Sequence, residues 1–144
     1  MEKMLAMYVA FLRAVALTHQ NNHWTCSGST FYAHHLMFER IYNSAQENAD
    51  AAAERVVGLL GSGAIVLTTQ AKDIAEMLKQ FDGKDEELIA NSIAIETQFL
   101  EFSQKMYDSL DKSGKMSLGL DDLIMSIASD REAALYLLKQ SLSA

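Results

Sequence analysis

Apolar side chains recur at helical spacing along most of this chain. Between about Lys3 and Cys26, the residues Leu5, Tyr8, Val9, Leu12, Val15 and Ala16 form one stripe of period 3.6, and Ser27-Gly28-Ser29 stops it. Ser29 or Thr30 stands where a side-chain oxygen caps a second helix, Phe31 to about Leu60, which Gly58 and then Gly61-Ser62-Gly63 end. Thr68 or Thr69 is placed to cap a short helix, Gln70 to Gln80, closed by Phe81-Asp82-Gly83. A third long helix, about Asp85 to Asp111, carries Leu88, Ile89, Ile93, Ile95, Phe99, Leu100, Phe102 and Met106, with Ser113-Gly114 as its stop. The fourth, about Leu118 to Leu142, carries Leu120, Leu123, Ile124, Ile127, Leu135 and Leu138.

Four helices of similar length, roughly 36 to 45 Å each at 1.5 Å per residue, cover one another's apolar faces most simply as an all-α four-helix bundle. The second and third long helices are joined by about 24 residues holding the short helix, which is a route to a ferritin-like topology with a long crossover. Composition agrees: there is no proline among 144 residues, where average usage gives about seven. Residues 1–144 show no linker or composition shift, so a single domain is expected. The apolar run Met4–Leu12 is too short to span a membrane, Arg13 interrupts it, and no cleavage pattern follows. One cysteine excludes an internal disulfide and fits a reducing, cytoplasmic setting. A net charge of −7, from 19 acidic and 12 basic residues, repels a phosphate backbone.

The candidate chemistry lies in the first 54 residues. All four histidines, His19, His23, His34 and His35, fall in the first quarter of the chain, and His19 and His23 share a helix face. On the second helix, His35, Glu39, Asp50 and Glu54 fall at about 0°, 40°, 60° and 100°, so they occupy one side. Imidazole with carboxylate suits Fe, Mn or Zn. Asp50, however, lies roughly 22 Å beyond His35 along the axis, whereas ligands of one ion sit within about 2.0 to 2.2 Å of it. One copy therefore cannot close the site. A two-fold pairing of two copies sets the His35/Glu39 half of each against the Asp50/Glu54 half of the other, with His23 completing each site. The Glu-x-x-His motifs of a bundle-core di-iron site are absent.

The stretches His23-Trp24-Thr-Cys-Ser-Gly28, Phe31-Tyr-Ala-His-His35-Leu-Met-Phe-Glu39 and Asp50-Ala-Ala-Ala-Glu54-Arg55 resemble the Dps family of ferritin-like mini-ferritins. The spacing of a His-Trp pair, a second histidine, an acid and Asp-x-x-x-Glu-Arg matches without a gap, although the family most often has Asp where Glu39 stands. The resemblance implies a dodecameric shell, built from two-fold dimers, that oxidises Fe(II) with H2O2 or O2 and stores the Fe(III) product. It implies that His23, His35, Glu39, Asp50 and Glu54 are both metal ligands and catalytic residues of inter-subunit ferroxidase centres, with zinc or manganese as substitutes for iron. Trp24 resembles the family tryptophan that quenches stray oxidising equivalents.

Plainer readings of the same residues stand beside these. Asp50 and Glu54 also read as exposed acids, Trp24 as a packing aromatic, His34 as a surface residue, and His19 as either a contact supporting the ligands from behind or part of a dimer interface. Cys26 reads as a small buried residue. The family's DNA binding is not expected here, because Lys3 and Arg13 are the only Lys or Arg in the first 25 residues and the chain closes on Ser-Leu-Ser-Ala. Twelve subunits at −7 each would carry about −84. The rival function is a non-catalytic ferritin-like oligomer that binds metal without turnover.

Overall fold

Long runs without proline let the backbone hydrogen-bond continuously, and five α-helices result: α1 (Glu2–Thr25), α2 (Phe31–Leu60), α3 (Leu67–Leu78), α4 (Leu88–Lys112) and α5 (Leu118–Ser141). Single 3-10 turns at Ser62–Ala64 and Lys79–Phe81 flank α3. This computed structural model describes residues 1–142; the last two residues of the Ser-Leu-Ser-Ala end, 143–144, lie outside them. Among the described residues there is no strand, and no helix is long and apolar enough to cross a membrane.

The helix ends depart from expectation where side-chain capping was expected. Thr30 occupies the N-cap of α2 without making a capping bond; its hydroxyl lies 3.2 Å from His34 Nδ1. α3 starts at Leu67, after the extended residues Ile65 and Val66, so Thr68 and Thr69 lie inside its first turn. α4 starts at Leu88, later than Asp85, because the Asn91 side-chain amide donates to the Lys84 carbonyl at 2.9 Å and holds a separate turn ahead of the helix. Ser117 does cap, accepting the Leu120 N–H at 3.1 Å. Gly58 stays helical, and α2 ends at Gly61, whose φ of 90° and ψ of 165° belong to a region that residues with a Cβ avoid.

The short connections at 26–30 and 113–117 make α1/α2 and α4/α5 hairpins. α1 also packs on α4 and α2 on α5, so α2 and α4 stand across the bundle from each other and the α3 crossover joins them. α3 lies against α1: Ile74 meets Ala10 and Ala14, and the buried Gln70 amide donates to the Ala6 carbonyl at 2.9 Å. Core positions follow a near-heptad spacing on every long helix, among them Leu5, Tyr8, Leu12 and Val15 on α1, Phe99, Met106 and Leu110 on α4, and Ile124 and Ile127 on α5. A second cluster, Cys26, Phe38, Ile41, Ala134 and Leu138, fills the end of the bundle where α1 turns into α2. Phe38 is fully buried there and anchors the helical turn that carries His35 and Glu39.

Candidate metal centre

His23 stands in the last turn of α1 and His35 in the second turn of α2, so the short hairpin brings the two imidazoles face to face. Their rings stack with centroids 3.8 Å apart and an interplanar angle of 18°. Each ring uses Nδ1 on the other residue's backbone: His23 Nδ1–H donates to the His35 carbonyl and His35 Nδ1–H to the His23 carbonyl, both at 2.8 Å. A carbonyl can only accept, so both rings carry their proton on Nδ1 and leave the Nε2 lone pairs free for a metal. The His23 carbonyl, one of the four at the end of α1 with no intrahelical partner, is satisfied in the same act. Phe31 stacks on the outer face of His35 at 4.9 Å, and Tyr42 meets His23 edge-on at 5.3 Å. The pair is thus held from both sides.

Glu39, one turn after His35, completes a group: one ligand atom each from His23, His35 and Glu39 lie within 4.8 Å of one another. Among the described residues this is the one cluster of three His, Cys, Asp or Glu able to hold an ion. Donors at about 2.0 to 2.2 Å from a tetrahedral ion stand roughly 3.5 Å apart, so small side-chain rotations suffice. Asp50 and Glu54 do not join the group; both are exposed on α2. Cys26 also stays outside it: its Sγ–H points to the His23 carbonyl at 3.7 Å, and burial pushes the thiol above its usual pKa, which disfavours a thiolate ligand. Trp24 is 65% exposed and lines a surface cleft with Leu17, Leu78, Phe81 and Leu88.

His19 takes a different place from either one expected for it. It is fully buried inside a single copy, so it belongs to no subunit interface. Its Nε2 lies 2.7 Å from Glu96 Oε1 and its Nδ1 2.9 Å from Ser92 Oγ. Arg131, also fully buried, donates from one guanidinium nitrogen to the same Glu96 oxygen at 2.8 Å and from another to Ser44 Oγ at 2.7 Å. The sequence carries a signal for Glu96 and Arg131, though none for Ser92. Arg131 stands in the apolar register Ile124, Ile127, Arg131, Ala134, Leu138, and Glu96 is three residues before the core residue Phe99. A charge in a core register needs a buried partner.

No protein-family model matches the chain, and no curated protein matches it by sequence. Solved structures do match. The Dps homologue of the archaeon Halobacterium salinarum superposes with a TM-score of 0.79 at 19% identity, covering 99% of this chain and 78% of that one. Dps from Thermosynechococcus elongatus gives 0.80 at 18% identity, covering 99% and 92%. Dps from Microbacterium arborescens, solved in a high iron form, gives 0.76 at 22% identity, covering 99% and 91%. Identities this low speak for the fold alone. With the helix order, the crossover helix and these superpositions in agreement, the chain has the all-α, Dps-like ferritin fold.

Proposed function

We propose that the protein is an iron-oxidising, iron-storing mini-ferritin, a ferroxidase whose centres lie between subunits. The observation that carries this reading is the His23, His35 and Glu39 group with both Nε2 atoms freed by reciprocal Nδ1 bonds. Two imidazoles and one carboxylate with open positions are a donor set suited to Fe(II); zinc or manganese can occupy the same donors. The three donors form half a site. The other half is Asp50 and Glu54 of a second copy, which face solvent on the same side of α2 about 22 Å further along. A two-fold dimer makes two such centres, and a dodecamer of six dimers encloses the stored Fe(III).

In this reading iron is the substrate. Two Fe(II) ions each lose one electron, and H2O2 takes both electrons with two protons to become two waters, so no hydroxyl radical is released. O2 is the alternative oxidant. The carboxylates of Glu39, Asp50 and Glu54 favour the harder Fe(III) product, while His23 and His35 hold Fe(II). In this reading Trp24, the residue after His23 and largely exposed on one copy, gives up an electron to a stray oxidant. The whole of residues 1–144 acts as one domain in the reducing cytoplasm, where Cys26 stays a thiol. Direct DNA binding is no part of this reading, because the net charge of −7 per subunit opposes it.

Anaerobic Fe(II) loading followed by H2O2, with Fe(III) absorbance as the readout, tests the reading. Oxidation well above a buffer blank, lost in His35→Ala, is expected. An intact oligomer that binds Fe(II) but gives only the blank rate would instead establish a metal-binding module without turnover.

A further inference from the structure

The two helices that carry the proposed ligands pack side by side, and their contact is mainly apolar. Val9 and Ala16 of α1 and Ala49 and Ala53 of α2 line their shared groove, and Ala45 and Ala52 face the core. Apolar packing between them is not directional. His23 and His35, by contrast, need a fixed register, because their rings stack at 3.8 Å and bond each other's carbonyls.

A directional connection between α1 and α2 exists, and it runs round the ring of helices. On α1, His19 reaches Ser92 and Glu96 of α4, and Asn22, the residue before His23, donates to Ser92 Oγ at 2.8 Å and to the Leu88 carbonyl at 3.0 Å. Glu96 then holds Arg131 of α5, and Arg131 donates to Ser44 of α2, five residues beyond Glu39. Ser92 Oγ accepts from Asn22 and pairs with His19 Nδ1, while His19 Nε2–H donates to the Glu96 carboxylate, which can only accept. The Glu96 carboxylate thus lies between the His19 imidazole and the Arg131 guanidinium, which share its Oε1.

Stability alone does not account for such a layer. Glu96 Oε2 and Arg131 Nε are buried without a hydrogen-bond partner, and apolar residues of similar volume commonly replace buried ionic groups at no cost or with a gain. We propose that the sealed polar layer of His19, Asn22, Ser92, Glu96, Arg131 and Ser44 is the positioning device of the metal half-site, setting the register that presents His23, His35 and Glu39 together. These are positioning residues, and the proposal rests on the reading of His23, His35 and Glu39 as ligands.

The test uses the full chain stripped of metal, with Co(II) as the probe and the histidine tautomers read by long-range proton–nitrogen NMR before any metal is added. In the wild type, His23 and His35 are expected to be Nδ1–H tautomers and to give a well-defined Co(II) absorption spectrum. The triple variant His19→Leu/Glu96→Leu/Arg131→Met is expected to keep its thermal midpoint while binding Co(II) about tenfold to a hundredfold more weakly, with shifted visible bands and mixed tautomers. Wild-type tautomers with Co(II) affinity within about twofold would overturn the proposal. Should the triple variant fail to fold, Asn22→Ala, which cuts the bond nearest His23 and leaves the charged groups intact, is judged by the same two results. A wild type that takes up no Co(II) yet shows the Nδ1–H tautomers would overturn the ligand reading instead, and the layer is then decided by the tautomers of the variants alone.

Discussion

At the scale of single residues, the interior of this bundle holds polar atoms that a purely apolar core would omit, and Tyr8 isolates the effect of one. Its ring packs on Phe99 at 5.3 Å and is 2% exposed, but its hydroxyl is buried with no hydrogen-bond partner. Burial pushes the phenol well above its usual value of 10.0, with Arg131 pulling weakly the other way. A raised acid keeps its proton in the folded state while the unfolded chain releases it. The stability linked to Tyr8 is therefore whole below pH 10 and drains away as pH climbs above that. Tyr8→Phe removes both the orphan hydroxyl and the linkage. It is expected to raise stability by about 1 kcal/mol near neutral pH, and by more above pH 10, in urea titrations run at both pH values. Equal or lower stability of the variant would mean that the hydroxyl has a partner, such as a buried water.

At the scale of elements, the periodicity of apolar residues was enough to place the four long helices, cap and stop signals placed the short one, and α2 was bounded to the residue because Gly61 admits a backbone conformation that ends it. The starts of α3 and α4 were less legible. They depend on what a side chain bonds in three dimensions: Thr30, Thr68 and Thr69 look like caps in sequence, while the oxygen of Thr30 faces His34 and the two others fall within a turn. The clustering of His23, His35 and Glu39 was legible because their spacing is local to one hairpin. The layer of His19, Glu96 and Arg131 was not, since its members lie 77 and 35 residues apart and meet only through packing of helices distant in sequence. Caps provide a direct check on this distinction. Ser117→Ala deletes a bond to the Leu120 N–H and is expected to cost about 1 kcal/mol, whereas Thr30→Ala, at the N-cap of α2, should change stability by less than about 0.5 kcal/mol. Thermal or denaturant unfolding of the two variants side by side distinguishes them; equal losses would mean that Thr30 caps α2 in solution.

At the scale of the whole molecule, the length and stiffness of α2 decide what a single copy can do. The helix runs unbroken through His35 and Glu54, so its imidazole and acidic halves cannot fold back on one another, and in the proposed centre each meets its complement on another copy. Subunit mixing turns that geometry into arithmetic. A His35→Ala dimer loses the imidazole half of both shared centres, and an Asp50→Ala dimer loses the carboxylate half of both. In a mixed dimer the two lesions fall on the same centre, and the other centre receives His35 from one copy and Asp50 from its partner. Free exchange makes half of the dimers mixed, each with one sound centre out of two, so the mixture should recover about a quarter of the wild-type ferroxidation, where each variant alone shows almost none. Fe(III) absorbance on the mixture, with exchange verified by native mass spectrometry of isotope-labelled subunits, provides the measurement. A mixture no more active than its parents after complete exchange would place all the ligands within one chain, which the length of α2 forbids for His35 and Asp50, and would therefore remove Asp50 from the centre.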